Sequence, residues 1–247
     1  MNGATILEVH GVSKTFGALK ALTGVDLVIQ GTGLHGLIGP NGSGKSTLLK
    51  VIAGAHAVDS GRIEFTGRDI TKATPYARAC AGIALKFQTP QVLPLLPVYD
   101  NILLAYQARE SPWALMRSIT RHTMHQDIMA ALERFCLAGR ADDLAGELSH
   151  GEQQWLEIAT ALASKPRLLL LDEPTSGMSL EERRVTGRLL GAIKSECALL
   201  IVEHDLDFVR EICDRLTVLK EGHVLGTVTV AEIQYLPKLK EVYTARV

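Results

Sequence analysis

Short apolar runs alternate along the chain with segments in which apolar residues recur every three or four positions. That alternation predicts strands separated by helices, the pattern of a mostly parallel α/β sheet. Leu34–Ile38, Ile83–Phe87, Leu168–Leu171, Leu199–Glu203 and Leu216–Lys220 read as buried strands, with helices over Leu180–Glu196 and Leu206–Cys213 between them. The amino-terminal part differs. Ile6–Val9, Val25–Ile29 and Arg62–Phe65 alternate in polarity and are joined by Gly-containing turns, as half-buried antiparallel strands do. Lys220-Glu221-Gly222-His223 predicts a hairpin turn near the end. From about Thr89 to Lys165 no strand pattern is visible, while Asn101–Ala108 and Ile128–Phe135 carry apolar residues at helical spacing. This stretch reads as a helical subdomain inserted between two sheet strands. Within it, Trp113–Gln126 is a basic amphipathic segment (Arg117, Arg121, His122, His125), either a solvated helix face or a contact for a partner or lipid headgroups.

The richest chemistry lies at Gly39-Pro40-Asn41-Gly42-Ser43-Gly44-Lys45-Ser46-Thr47, which fits the phosphate-loop pattern G-x-x-x-x-G-K-[ST]. Glycines let the backbone curl so that several N–H groups face one anion, and a following helix adds its positive end. Lys45 is expected to reach the β- and γ-phosphates, and Ser46 to hold Mg²⁺. The context supports this over a plain Gly-rich turn. His35-Gly36-Leu37-Ile38 is a strand candidate leading in, and Ser46–Ala53 has helical character and stops at Gly54.

Leu168-Leu169-Leu170-Leu171-Asp172-Glu173-Pro174 is the second signal. An apolar strand ending in a carboxylate places a fixed charge at the carboxyl edge of the sheet, where ligands of open α/β sheets bind. Asp172 is expected to orient Mg²⁺, and Glu173 to polarise a water facing the γ-phosphate. Leu148-Ser149-His150-Gly151-Glu152-Gln153-Gln154 is the third. Ser149 and Glu152 form a capping box, a sufficient structural role. The same exposed helix start, with Ser149 and Gly151, can also hold a phosphate on another copy of the protein.

Composition narrows the classes. The chain has 247 residues, 47% hydrophobic and 21% charged, an ordered globular composition long enough for one large domain or two modest ones. A formal net charge of −1 gives no general pull on DNA or RNA, so no nucleic-acid partner is expected. Cys80, Cys136, Cys197 and Cys213 lack C-x-x-C spacing and read as small core residues in a reducing compartment. Residues Met1 to Thr5 show no basic segment leading into an apolar run, so no signal peptide is expected. No apolar stretch approaches the roughly 18 residues that span a bilayer.

Taken together, these motifs resemble the nucleotide-binding subunit of an ATP-binding cassette (ABC) transporter, over essentially the whole chain. Gly39–Thr47 is similar to the Walker A loop, Leu168–Glu173 to the Walker B strand, and Leu148–Gln153 to the family signature. Gln88 falls at the Q-loop glutamine, which links Mg²⁺ and water to the permease contact. His204 falls at the switch histidine, near the γ-phosphate. Phe16 falls where the family stacks an aromatic ring on adenine, and is otherwise a core residue.

The resemblance implies a P-loop NTPase fold of the ABC ATPase type: a mostly parallel core sheet over 1–88 and 166–247, an antiparallel amino-terminal β subdomain, and a helical subdomain over 89–165. It implies ATP and Mg²⁺ as cofactors. Two ATPase subunits, identical or similar, would close head to tail, with Ser149 and Gly151 of one facing the γ-phosphate held by the other. Permease subunits, a solute-binding protein and a cytoplasmic location on the inner membrane face follow.

Leu148–Ile158 and Ser176-Gly177-Met178 further resemble the branched-chain amino-acid class, and Trp155 and Met178 its urea and short-amide branch, although both can be plain packing residues. The expected solute is therefore a branched-chain amino acid, urea or a short amide. An exporter or lipid-extracting ATPase is the nearest rival, and a non-transport ABC ATPase a more distant one. Two departures stand out: His150 where many members have Gly, and Ser179 in place of the D-loop Asp, which puts coupling between two ATP sites in doubt.

Overall fold

The computed structural model describes residues 4–86, 91–108 and 120–232. The strands are β1 (Thr5–Phe16), β2 (Leu19–Gln30), β3 (Gly33–Ile38), β4 (Ser60–Phe65), β5 (Arg68–Asp69), β6 (Ile83–Lys86), β7 (Leu168–Asp172), β8 (Ala198–Val202), β9 (Arg215–Lys220) and β10 (His223–Thr229). The helices described are α1 (Lys45–Ile52), α2 (Pro75–Ala81), α3 (Val98–Gln107), α4 (Thr120–Arg134), α5 (His150–Ala163), α6 (Leu180–Ile193) and α7 (Leu206–Ile212).

Two sheets form. The first has the order β2-β1-β4-β5, and all of its pairings are antiparallel. The second has the order β10-β9-β3-β8-β7-β6; it is parallel except for β10, which folds back on β9 through the expected hairpin. The P-loop α/β architecture is as expected.

Every residue of β7 and β8 is buried, as central strands covered on both faces must be. The two-residue period sends Leu168, Leu170 and Leu200 to one side, where they meet α1 and the antiparallel strands. Leu169, Leu171 and Leu199 go to the other, against α3, α5 and α6. In α4, Met124, Ile128 and Leu132 recur at four-residue spacing and are buried, so this face is core. Of the basic segment, residues 113–119 lie outside the described residues; in the described part, the Tyr99 hydroxyl and His125 Nδ1 are hydrogen-bonded at 3.1 Å.

The first strands are longer than their polarity suggested. β1 and β2 each run for twelve residues, and the register shifts between Val9 and Val12. Gly11 sits there at φ +56°, its N–H donating to Asp26 Oδ1 at 2.8 Å. Such a bulge breaks the alternation without ending the strand.

Helix α2 was not expected. It starts at a Thr74 cap that accepts from Ala77 N–H, has Pro75 in its first turn, and stops at Gly82. It carries Arg78, 2% exposed, whose Nη1 donates to the carbonyls of Val51 and Ile52 at 2.7 and 2.8 Å. These are end carbonyls of α1, so a buried cation complements that helix's negative pole.

Candidate nucleotide site

Strand β3 ends at Ile38, in the middle of the parallel sheet, and the chain turns at once into the phosphate loop and α1. Gly44 caps α1 at φ +102°, a conformation that suits glycine. A Cβ there would also stand 2.4 Å from the Ala21 carbonyl oxygen. The first amides of α1 have no partner within the helix, which is the anion-binding property of such an end. Lys45 Nζ donates to the carbonyls of Gly39 and Pro40 at 2.8 and 2.9 Å, so the side chain arches over the loop. Ser43 Oγ is buried and makes no hydrogen bond to the described residues. An orphaned hydroxyl within the loop is a group that a ligand oxygen can satisfy.

The loop opens on a cavity of about 630 Å³ lined by Phe16, Leu19, Ala21, Asn41, Gly42, Gly44, Lys45, Ser46, Thr47, Glu173 and His204. Ser46 Oγ donates to Asp172 Oδ1 at 2.9 Å, which joins the loop to the end of β7. Burial pushes the Asp172 carboxyl above the usual carboxylate range, against the pull of that hydroxyl. Two hard oxygens and no larger cage of His, Cys, Asp or Glu among the described residues fit Mg²⁺, which keeps waters and phosphate oxygens as its other ligands.

Glu173 follows at φ +47°, rare for a side chain with a Cβ, while its N–H continues the ladder to Val202 O at 2.9 Å. The strained backbone marks a functional position; the sequence pointed to Glu173 but not to its strain. His204 Nδ1 lies 3.9 Å from Glu173 Oε1. His204 Nδ1 also lies 4.0 Å from Oε2 of Glu203, a residue that no sequence motif singled out. Glu203 is 1% exposed, and its Oε1 accepts from Thr175 N–H at 3.0 Å and from Thr175 Oγ1 at 2.7 Å. It therefore pins the turn that presents Glu173. A carboxylate in the apolar strand end Leu199–Glu203 was the available signal.

Phe16, 39% exposed, stands at the cavity edge; His56 meets its ring edge-on at 5.1 Å and Lys14 Nζ lies 5.3 Å from its centre. It is not a core residue. Gln88 lies outside the described residues.

The signature residues are not on this cavity. Ser149 caps α5, accepting from Glu152 N–H at 3.2 Å, while Ser149 N–H donates to Glu152 Oε2 at 2.8 Å. A Cβ on Gly151 would fall 2.3 Å from Glu182 Oε1, so that carboxylate lies against the start of α5. Ser179, the substituted D-loop position, caps α6 in a second capping box with Glu182. His150 Nε2 is hydrogen-bonded to Ser176 O at 3.1 Å. Both departures from the family pattern thus sit at the junction of α5 and the loop after β7.

Trp155 and Met178 are 7% and 5% exposed. Trp155 Nε1 donates to Thr186 Oγ1 at 2.8 Å, and Met178 Sδ lies 3.2 Å from the same hydroxyl. They pack α5 against α6 and report nothing about a solute.

Comparison with known proteins bears on the family and its branch. The ABC transporter family profile matches residues 22–176. The chain is 35% identical over 234 residues to the ribose import ATP-binding protein RbsA of Yersinia pestis, covering 94% of this chain and 45% of that one. It is 37% identical over 224 residues to RbsA of Burkholderia pseudomallei strain K96243, covering 90% and 43%. It thus spans less than half the length of these curated relatives. A crystal structure of an ATP-binding cassette of an ABC transporter in its ADP conformation superposes with a TM-score of 0.85 at 33% identity, covering 98% of this chain and 99% of that one.

These relatives are named for ribose import, which overturns the expected branched-chain amino-acid, urea or short-amide branch. The physical reason lies in Trp155 and Met178, which are packing residues. The exporter alternative gains no support from relatives named for import. Fold, profile and relatives agree: the chain belongs to the ABC transporter family, as an ABC-type ATPase that uses ATP and Mg²⁺.

Proposed function

We propose that this chain is the ATP-hydrolysing cassette of an importer for a sugar of the ribose type. The observation that carries the hydrolytic reading is the convergence of Lys45, Ser46, Glu173 and His204 on one cavity, with Asp172 bonded to Ser46. The names of the relatives supply the solute class.

Lys45 and the loop amides of Gly39 to Thr47 bind the triphosphate, and Phe16 stacks on the base. Ser46 and Asp172, with Gln88, would hold Mg²⁺, which supplies charge neutralisation on the β- and γ-phosphates. Glu173 accepts a proton from the water that attacks the γ-phosphorus, and ADP leaves with the electrons of the broken P–O bond. His204 stabilises charge on the transferring group. Ser149 and Gly151 of a second cassette close the site, consistent with their place outside the cavity of their own chain.

Two nucleotide-binding segments, 1–88 and 166–247, surround a helical subdomain, 89–165, which with Gln88 faces a permease; the lack of any strand among the described residues between β6 and β7 supports this division. No helix among the described residues is long and apolar enough to cross a membrane, in keeping with a cassette that works at the cytoplasmic face through permease subunits and a solute-binding protein.

The test is turnover. Glu173→Gln is expected to bind MgATP as the parent does and to hydrolyse it about a hundredfold or more slowly. Unchanged hydrolysis removes Glu173 from its role. Ribose-stimulated ATPase activity in membranes holding the assembled importer tests the solute; stimulation by an amino acid and not by a pentose overturns that part.

A further inference from the structure

Lys86 ends β6 and is fully buried, its side chain 0% exposed. Its Nζ stands 3.7 Å from Glu157 Oε2 on α5, itself 9% exposed in the side chain. The charges of Asp172 and Glu203 also act on it. One ammonium is therefore paired with a carboxylate on the helix that begins at Ser149 and feels the charges of the Mg²⁺-side carboxylate and of the carboxylate that pins the Glu173 turn.

A buried ammonium is expensive to desolvate, and a leucine-like side chain would fill the space at lower cost. Packing does not account for it. Its placement does. Lys86 is paired in parallel register with Leu171, the residue before Asp172. Glu157 lies on the same rigid helix as Ser149, eight residues on, which corresponds to about 12 Å of helix. An ion pair here ties the angle of α5 to the strand ends that carry the hydrolytic groups. A methylene contact slides; a desolvated ion pair loses energy steeply when its partners separate.

We propose that Lys86 is a positioning residue: through Glu157 it fixes the helix that presents Ser149 and Gly151 in one frame with Asp172, Glu203 and, through Glu203, the Glu173 turn. The inference rests on the ATPase reading above. In it, Lys86 touches no substrate and acts on rate by keeping the two halves of a composite site in register.

The experiment is a double-mutant cycle with Lys86→Met, Glu157→Gln and the pair. Each single variant is expected to lower kcat about tenfold or more while leaving the MgATP Kd within about threefold, since small misplacements of catalytic groups cost rate before affinity. The double variant is expected to fall no further than the weaker single variant, because both remove one interaction. Losses that multiply in the double variant, or full turnover in either single, overturn the proposal. Glu157→Gln is isosteric and serves where Lys86→Met does not fold.

Amide exchange without nucleotide separates this inference from the ATPase reading. Exchange over residues 150–158 is expected to quicken about tenfold in Glu157→Gln while β3 and β8 stay unchanged; unaltered exchange there counts against the tie. A parent protein that turns over no ATP defeats the ATPase reading instead.

Discussion

Gly44 shows how narrowly single positions are set. It combines φ +102° with a Cβ position 2.4 Å from the Ala21 carbonyl, so any side chain meets both strain and backbone. Gly44→Ala is expected to lower stability by about 1–3 kcal/mol from the backbone alone, read by urea unfolding, and to weaken nucleotide binding as the loop shifts. Wild-type stability in that variant would mean the loop is looser than described. Glu173 carries comparable strain at φ +47°, and the buried Glu203–Thr175 bonds of 2.7 and 3.0 Å hold it. The sequence displayed Glu173 because two acids at a strand end stand out. It hid Glu203 because a carboxylate beside a histidine after a strand reads as solvent-facing. Lys86 was equally hidden: nothing local marks a lysine as buried, since its partner Glu157 is seventy-one positions away.

At the scale of elements, β3 is the strand that delivers the phosphate loop, and it contains a histidine. His35 Nε2 is hydrogen-bonded to Thr217 Oγ1 at 2.7 Å, and that hydroxyl to Thr227 Oγ1 at 2.6 Å, a chain crossing β3, β9 and β10. Burial, with Arg215 nearby, lowers its pKa from 6.5 to about 4. The fold thus favours the neutral ring. Below pH 6.5 the unfolded chain takes up a proton that the folded chain refuses, so stability present above that pH is lost as pH falls toward 4, then levels off. The loss is about 3 kcal/mol. Urea unfolding of the parent and of His35→Gln at pH 7 and pH 4 checks it: the parent should lose more, and parallel losses would show that His35 titrates normally.

The central strands β3, β7 and β8 were legible because burial on both faces leaves continuous apolar runs. The full length of β1 was not, since the Gly11 bulge breaks its alternation. Helix α2 had its signals in Thr74-Pro75 and Gly82, but seven residues carry too little periodicity to draw the eye.

Over the whole molecule, the phosphate loop, Asp172, Glu173 and His204 meet at one edge of the parallel sheet, whereas Ser149 and Gly151 lie off the cavity. In the proposed reading, a second cassette completes a site so divided. With saturating ATP and magnesium, Glu173→Gln is expected to elute as a dimer in size exclusion and as a monomer without nucleotide. A monomer under both conditions would direct the search to a different companion cassette.

The phosphate loop also rests on the carboxyl-terminal hairpin. Gly222 N–H donates to Ser43 O at 3.0 Å, Gly222 O accepts from Thr23 N–H at 2.9 Å, and a Cβ at Gly39 would strike Leu219 O at 2.0 Å. The β9–β10 turn is thus a floor beneath the loop and a peg into the amino-terminal sheet. A fragment ended at Asp214 would keep all the recognisable nucleotide motifs yet lose the surface against which the first of them is moulded. The smallest competent cassette is therefore defined by its undistinguished tail as much as by its signatures.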